Sequence, residues 1–390
     1  MKANKMLTKR EETDLIRFAR DLVGTKSISG HEEAAIRLVE EQMHRLAYDE
    51  VAVDSMGNVL GRIGSGKQKV LLDAHVDTVD VPDAGDWEYA PFGGELAEGR
   101  IHGRGAVDMK SGAAAAVFAA AAARRMGLDK GKSVYVSCTV MEEDCDGMNL
   151  KHLFHEKNLL PHWVVICEPS NNRIALGHKG KAQVIIRTHG VSAHSAAPEK
   201  GVNAVYAMVP IIRRAEQLQD ELTRQAGPKA SVSLSRISST AASLNAVPAE
   251  CEIYLDRRLA PGETRDAIQA EMERLIRGGN ASWEFDSLRR RSWTGMEVGY
   301  EPFHEAWRID PDHPLCRSCR SAYVDVFGAE PDGYVFWDFS TNAVTPVMMG
   351  IPTIGFGPGD PRLAHMRDEN CPVEQIIDAC RFYTCLIGRL

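Results

Sequence analysis

The sequence of 390 residues lacks several things, and each absence excludes a class of function. Long apolar runs are missing: the longest, Ala113–Ala123, has eleven residues, whereas a membrane span needs ~20. Positive charge is not in excess. The 46 Lys and Arg stand against 54 Asp and Glu, a formal net charge of −8. That balance predicts neither nucleic acid nor an anionic membrane as partner. The basic stretch Met1–Arg10 has no apolar core and no cleavage site, so no signal peptide is expected. Regular cysteine pairing is missing too. Nine Cys without periodic spacing predict reduced thiols and a cytoplasmic protein. Cys316 and Cys319 have C-x-x-C spacing without a second pair, which fits either a redox or zinc pair or one buried helical face.

Familiar catalytic signatures are absent as well. Gly61 to Lys67 has phosphate-loop spacing, but Gln68 replaces the required Ser/Thr and the segment joins two expected strands. His31-Glu32 lacks the second His of H-E-x-x-H. There is no G-x-S-x-G elbow, and Gly355-Phe-Gly357-Pro-Gly359 opens no helix.

What is present is ordinary globular composition, 44% hydrophobic and 26% charged, in a chain long enough for two domains. The N-terminal part reads as α/β. Helices are expected over Glu11–Val23 and from His31 to just before Tyr48, the second with Ser29 as N-cap. The run Lys69–Ala74 is a buried strand ending in polar residues. Asp86–Gly105 reads as loop, Met109–Met126 as an Ala-rich helix, and Ser133–Met141 and His162–Cys167 as strands. From Gly180 the order becomes β-α-β-β-α-β: Lys181–Gly190, Val202–Arg224, Ala230–Ile237, Ala249–Arg258, Thr264–Arg277, Ala281–Asp286. This predicts a ferredoxin-like insert of about 110 residues. Arg289–Pro314 shows no period and reads as a returning linker, followed by helices over Leu315–Phe327 and Val373–Leu386. The expected division is 1–178, an inserted 179–293, and 294–390.

Acids and histidines gather at the ends of these strands. His75-Val-Asp77 closes the first, Glu142-Glu143-Asp144 the second and Glu168 the third. Asp108 precedes the Ala-rich helix and His365 follows the Gly/Pro loop. Any one strand-end acid is commonly just solvated; a set of them at one sheet edge points to metal chemistry. Two divalent ions held ~3.5–4 Å apart need bridging carboxylates to offset their repulsion, and one further carboxylate to move a proton.

With these motifs in view, the sequence resembles the acetylornithine deacetylase / succinyl-diaminopimelate desuccinylase / carboxypeptidase G family of dinuclear zinc hydrolases. The resemblance is carried by His75-Val-Asp77, Gly103-Arg-Gly105-Ala-Val-Asp108-Met-Lys-Ser-Gly112, Glu142-Glu143, Glu168-Pro169, Gly190-Val-Ser-Ala-His194 and His365, and it spans nearly the whole chain. Within the family, Glu142-Glu-Asp-Cys-Asp-Gly147, Asp256-Arg-Arg258-Leu, Ser292-Trp-Thr-Gly295 and Phe339-Ser-Thr-Asn342 are similar to the YgeY-type, selenium-metabolism-linked hydrolases.

The resemblance implies an α/β fold. Its zinc-peptidase-type catalytic domain has a mixed sheet flanked by helices, and the insert serves dimerisation and as a lid. It implies two divalent ions per chain, zinc foremost, with cobalt or manganese also accommodated by an N/O site. His75, Asp108, Glu143, Glu168 and His365 would be ligands, with Asp108 bridging through a cis peptide to Met109. Asp77 would orient His75 and Glu142 would be the general base. His194 would reach a partner subunit's site in a homodimer and hold the oxyanion; it also reads as a plain surface residue. Asn245 and Arg258 would contact substrate, although Arg258 also fits an ordinary strand-end cation. Ser340 and Asn342 fit substrate contact and loop structure equally. Cys145 and Cys167 read as packing residues, although a Cys145 thiolate could compete for zinc. Trp87, Trp293, Tyr300 and Trp307 fit an apolar wall or core. The implied substrate is a small amide or dipeptide with a free carboxylate. A binding protein that keeps the fold without catalysis is the alternative.

Overall fold

A computed structural model of the chain describes residues 6–224, 229–241 and 243–390. Met1–Lys5, half of the basic N-terminal stretch, lie outside the described residues.

Helix α1 (Lys9–Gly24) starts with a reciprocal cap: the Thr8 hydroxyl accepts from Glu11 N–H, and the Glu11 carboxylate accepts from Thr8 N–H. Helix α2 (Glu33–Arg45) begins later than its sequence signals suggest. Glu32 occupies the cap position without a capping side chain. The expected cap, Ser29, instead donates its hydroxyl to Asp77 Oδ2 at 2.7 Å. A buried carboxylate that needs donors outcompetes a helix end that solvent can satisfy.

Strands β1 (Glu50–Val53), β2 (Val59–Ile63) and β3 (Gln68–His75) open a large mixed sheet. Short strands β4 (Glu95–Ala97) and β5 (Arg100–His102) interrupt the expected loop 86–105. Helix α3 (Lys110–Arg125) follows, then β6 (Lys132–Thr139), α4 (Met148–Glu156), β7 (Trp163–Ile166) and β8 (Ala175–His178). The last six residues of β3 are all buried, as expected of a strand covered on both faces. It pairs in parallel with β6 on one side and β7 on the other. The carboxyl ends of these three strands therefore emerge at one edge, where open α/β sheets place their ligand crevices.

Helix α3 explains its own composition. It is buried nearly all round, packed against the sheet and neighbouring helices. At Gly112 the approach is closest: a Cβ there would lie 2.3 Å from the carbonyl oxygen of Cys167. Only glycine lets a helix cross a strand end at that distance.

A separate sheet follows. Strand β9 (Gly180–His189), helix α5 (Ala204–Arg224), strands β10 (Ser231–Thr240) and β11 (Glu250–Leu259), helix α6 (Arg265–Ile276) and strand β12 (Ala281–Phe285) run in β-α-β-β-α-β order. The spatial order is β10-β11-β9-β12, antiparallel throughout. One face carries its own core, including Ile186, Met208, Ile253 and Met272.

The stretch 289–314 is not a structureless linker. It begins in a hairpin of β13 (Leu288–Arg291) and β14 (Glu297–Tyr300), within which residue 293 falls. Val298 and Tyr300 of that hairpin, with Trp293 against them, belong to the larger core. Next, β15 (Phe303–His304) pairs with β9, and β16 (Trp307–Arg308) pairs with β8. Strands of two to four residues are too short for a hydrophobic period to register in sequence. The chain closes with α7 (Pro314–Phe327), β17 (Val335–Trp337), α8 (Val344–Met348), β18 (Thr353–Gly355), β19 (Asn370–Pro372) and α9 (Val373–Arg389). The large sheet runs β1-β2-β6-β3-β7-β18-β8-β16, with β17 on β8. Cys316 and Cys319 are both buried on α7 and free, which suits a packing face. No described helix is long and apolar enough to cross a membrane.

Candidate metal centre

The carboxyl edge of β3, β6 and β7 brings together the acids and histidines singled out in the sequence. His75 ends β3. Its Nε2 lies 3.0 Å from Asp108 Oδ1, 3.6 Å from Glu168 Oε1 and 4.0 Å from Glu142 Oε2. His365 approaches from the other side, its Nε2 3.3 Å from Asp108 Oδ2 and 3.0 Å from the Glu143 carboxylate. Asp108 thus offers one oxygen to each histidine. The peptide between Asp108 and Met109 is cis.

Supporting groups fix these positions. His75 Nδ1 lies 3.0 Å from the Asp77 carbonyl oxygen and 3.5 Å from Asp77 Oδ1. The Asp77 carboxylate also accepts the Glu142 and Glu143 amides, each at 3.1 Å. One buried side chain therefore orients the imidazole and holds the loop that carries two of the acids. Three further supports escaped the sequence reading. Glu369, fully buried, accepts from Val107 N–H at 2.7 Å, Asp108 N–H at 3.0 Å and Arg104 at 2.6 Å. Arg104 also donates to the carbonyls of His365 and Met366, each at 3.2 Å, clamping the His365 loop. His365 itself has φ of 61°, a conformation held only where surroundings impose it. Glu32 accepts from Gly30 N–H at 2.8 Å and Met141 N–H at 3.1 Å.

The electrostatics call for cations. Burial pushes the Glu142 and Glu168 carboxyls well above the usual range, and burial together with Asp108 moves Glu143 to about 7. Hydrogen bonds to Asp108 and Glu143 raise His365 to about 10. His75 rises against its own burial, chiefly through Asp108. Asp108 is held low despite burial by the two imidazoles. Four carboxylates, two of them buried and two nearly so, exceed the charge that two imidazoles can supply. Glu142 Oε1 and Glu168 Oε2 are buried without any hydrogen-bond partner. His75, Asp108 and Glu143 form one group whose ligand atoms lie within 4.8 Å of each other, and His75, Glu142 and Glu168 form another. An all-N/O donor set with surplus negative charge and unpartnered buried oxygens fits divalent ions.

The other expected site residues lie elsewhere. His194 is exposed, its Nδ1 accepting from Ala196 N–H at 3.0 Å. Asn245 is exposed beside it, its carbonyl accepting from Ser195 N–H at 2.8 Å. No hydrogen bond or ion pair joins either to the cluster among the described residues. Arg258 is paired through two nitrogens with Asp256, at 2.7 and 3.1 Å. Ser340 donates to Asp146 at 2.9 Å. The Asn342 amide is fully engaged. It donates to Asp73 Oδ2 and Thr139 Oγ1, each at 3.0 Å, and accepts from Gly147 N–H at 3.1 Å. Cys145 is buried, and burial pushes its thiol to about 12, far from a competing thiolate. Trp87, Tyr300 and Trp307 are buried.

Comparisons with known proteins identify the family and the fold. The family model described as Peptidase family M20/M25/M40 matches residues 71–389. An uncharacterized protein, YgeY, of Escherichia coli K12 is 34% identical over 379 residues, 96% of this chain and 94% of its own. Succinyl-diaminopimelate desuccinylase of Corynebacterium glutamicum is 30% identical over 382 residues, 94% of each chain. Among solved structures, the Bacillus subtilis YXEP protein, described as a dinuclear metal binding peptidase, superposes with a TM-score of 0.71. It does so at 16% identity, covering 98% of both chains. An M20 metallo-carboxypeptidase from Sulfolobus solfataricus gives a TM-score of 0.72 at 16% identity, over 98% of this chain and 99% of its own.

Proposed function

This chain belongs to peptidase family M20/M25/M40 and is a metal-dependent hydrolase of amide or peptide bonds, and from that premise we propose that it is a dinuclear enzyme removing an acyl group from an amino acid or cleaving a small dipeptide. The observation that carries the dinuclear reading is Asp108, whose two oxygens face two different histidines, each with its own glutamate. His75, Asp108 and Glu168 would hold one ion; His365, Asp108 and Glu143 the other. Zinc is the first expectation for such donors. Bound there, divalent ions polarise a carbonyl and acidify water to a pKa of ~7.

Glu142 is the proposed general base. Its Oε1 is buried and unpartnered, and its carboxyl is raised by burial. That oxygen would take a proton from the attacking water and pass it to the leaving nitrogen. Asp77 would keep the Glu142 backbone and the His75 ring fixed meanwhile. His194 would donate to the substrate oxyanion across a homodimer, since within one chain it touches nothing in the cluster. Asn245 and Arg258 would meet the substrate carboxylate, with Arg258 exchanging Asp256 for it. Ser340 would contribute from its loop, and Asn342 by holding that loop. The insert would serve as lid and dimer contact for the unit built from 1–178 and 294–390.

The test is to measure metal content and to assay the metal-loaded protein against N-acyl amino acids, dipeptides and carbamoyl amino acids. About two ions per chain, with turnover of at least one class abolished by Glu142→Ala, is the expected result. Full metal occupancy with no hydrolysis across the panel would favour a binding protein instead.

A further inference from the structure

The loop that carries Glu142 and Glu143 runs on to Asp146, a buried carboxylate outside the metal cluster. Its Oδ2 is shared by four side chains: Lys181 Nζ, Tyr300 Oη at 3.0 Å, Ser340 Oγ at 2.9 Å and His304 Nε2 at 3.2 Å. Lys181 and His304 are not neighbours by accident. They stand opposite each other where β15 pairs with β9 of the smaller sheet. A few residues away the same two stretches enter the larger sheet, with Trp307 opposite His178. Between those two pairs lie only Lys179 and Gly180 on one stretch and Glu305 and Ala306 on the other. A narrow ribbon of two chain segments therefore joins the sheets. At Gly180 a Cβ would lie 2.5 Å from both Ala306 N and the His304 carbonyl oxygen. The ribbon also holds unmet hydrogen-bonding capacity: His178 Nε2, His304 Nδ1 and Trp307 Nε1 are buried without partners. Their rings are adjacent, the His178 centroid 5.7 Å from both the His304 and Trp307 centroids. Buried polar atoms left unpaired mark a segment that is not at its hydrogen-bonding optimum in this arrangement.

We infer that Asp146 is a positioning residue, clamping the general-base loop to this ribbon so that the placement of the smaller sheet is transmitted to Glu142. The role of Glu142 is that given under the proposed function. The loop has little slack to absorb a displacement. Cys145 N–H donates to the carbonyls of Met141 and Glu142 at 3.0 and 3.2 Å. Met148 N–H donates to the Cys145 carbonyl at 3.0 Å, and Gly147 N–H to Asn342 at 3.1 Å. At its other end the loop hangs on Asp77 through the Glu142 and Glu143 amides. A shift of Asp146 is therefore taken up at those two hydrogen bonds. A single carboxylate oxygen holding an ammonium, an imidazole and two hydroxyls makes a stiff connection, since charge-assisted bonds are the strong ones.

The experiment is amide hydrogen exchange on the full-length, metal-loaded protein, comparing wild type with Lys181→Met. Lys181 lies on the ribbon, outside the loop and the metal ligands. Exchange at the Glu142 and Glu143 amides should accelerate about tenfold or more, with metal content unchanged, and Lys181→Arg should restore protection. With an active substrate, Lys181→Met should lower kcat about tenfold while KM moves less than twofold. If Lys181→Met does not fold, His304→Gln weakens the same clamp and is read in the same way. A fall in Tm with unchanged exchange at Glu142 and Glu143 would overturn the inference, since Asp146 would then be a structural anchor only. If wild type hydrolyses nothing, the proposed function fails, and the exchange measurement still decides the clamp.

Discussion

The edge of the larger sheet and the loops of the smaller one hold their candidate residues in opposite ways. At the larger sheet every candidate ligand except His365 is largely buried, and His75, Asp108, Glu143 and His365 are held by side chains or amides from distant parts of the chain. At the smaller sheet, His194 and Asn245 are exposed, on two loops tied to each other and not to the cluster. The first region is organised before any substrate arrives. Catalytic geometry that costs no reorganisation at the moment of reaction is worth most, and the candidate metal centre has that character. The second region is the one for which a role across two chains is proposed.

That contrast can be broken by substitution. The largest effect is expected for Glu142→Gln, which keeps the shape but removes the proton acceptor: kcat should fall about 10³-fold, within the range for general acid–base groups. Metal content should stay unchanged by elemental analysis. His194→Ala should come next, lowering kcat about 10²-fold, as for a lost oxyanion donor. Because the role is proposed across a dimer, mixing inactive Glu142→Gln with inactive His194→Ala chains should restore part of the activity. No recovery after exchange of subunits would remove the cross-subunit role. Glu369→Gln probes the support of the first region. It should weaken metal affinity about 10–100-fold, the usual scale for residues that orient ligands. A competitive chelator titration reads this directly, and unchanged affinity would mean that the larger sheet is less dependent on its supports than the geometry implies.

The same contrast governs what the sequence discloses. His75, Asp108, Glu142, Glu143, Glu168 and His365 could be picked out because each sits where an apolar run or a Gly/Pro loop stops, a purely local signal. Glu369, Glu32 and Asp146 gave no such signal. An acid becomes a buried clamp only through partners far along the chain, such as Arg104 for Glu369 or Tyr300 and His304 for Asp146. The β-α-β-β-α-β stretch was readable because its strands and helices are long. The ribbon at 303–308 was not, since two-residue strands exist only by virtue of the edges they pair with. Asn342 was legible as a site-proximal residue, while its engagement with Asp73, Thr139 and Gly147 required the fold.

The smallest expected effect concerns Glu32, and it tests whether the supports of the larger sheet carry a stability cost. Burial and the nearby Asp77 charge raise its carboxyl from 4.5 to about 8. A carboxyl raised on folding binds its proton more tightly in the folded state, so stability falls as pH climbs from about 4.5 to about 8 and changes no further above that. Glu32→Gln keeps an oxygen for the Gly30 and Met141 amides but cannot ionise. In chelated protein, the Tm of the variant minus that of wild type should therefore grow with pH across this window, by on the order of 5 °C at pH 8. It should be flat below pH 4.5. Parallel Tm curves for the two proteins would mean that Glu32 titrates alike folded and unfolded. The supporting carboxylates would then add no cost of their own to a site organised ahead of its ligands.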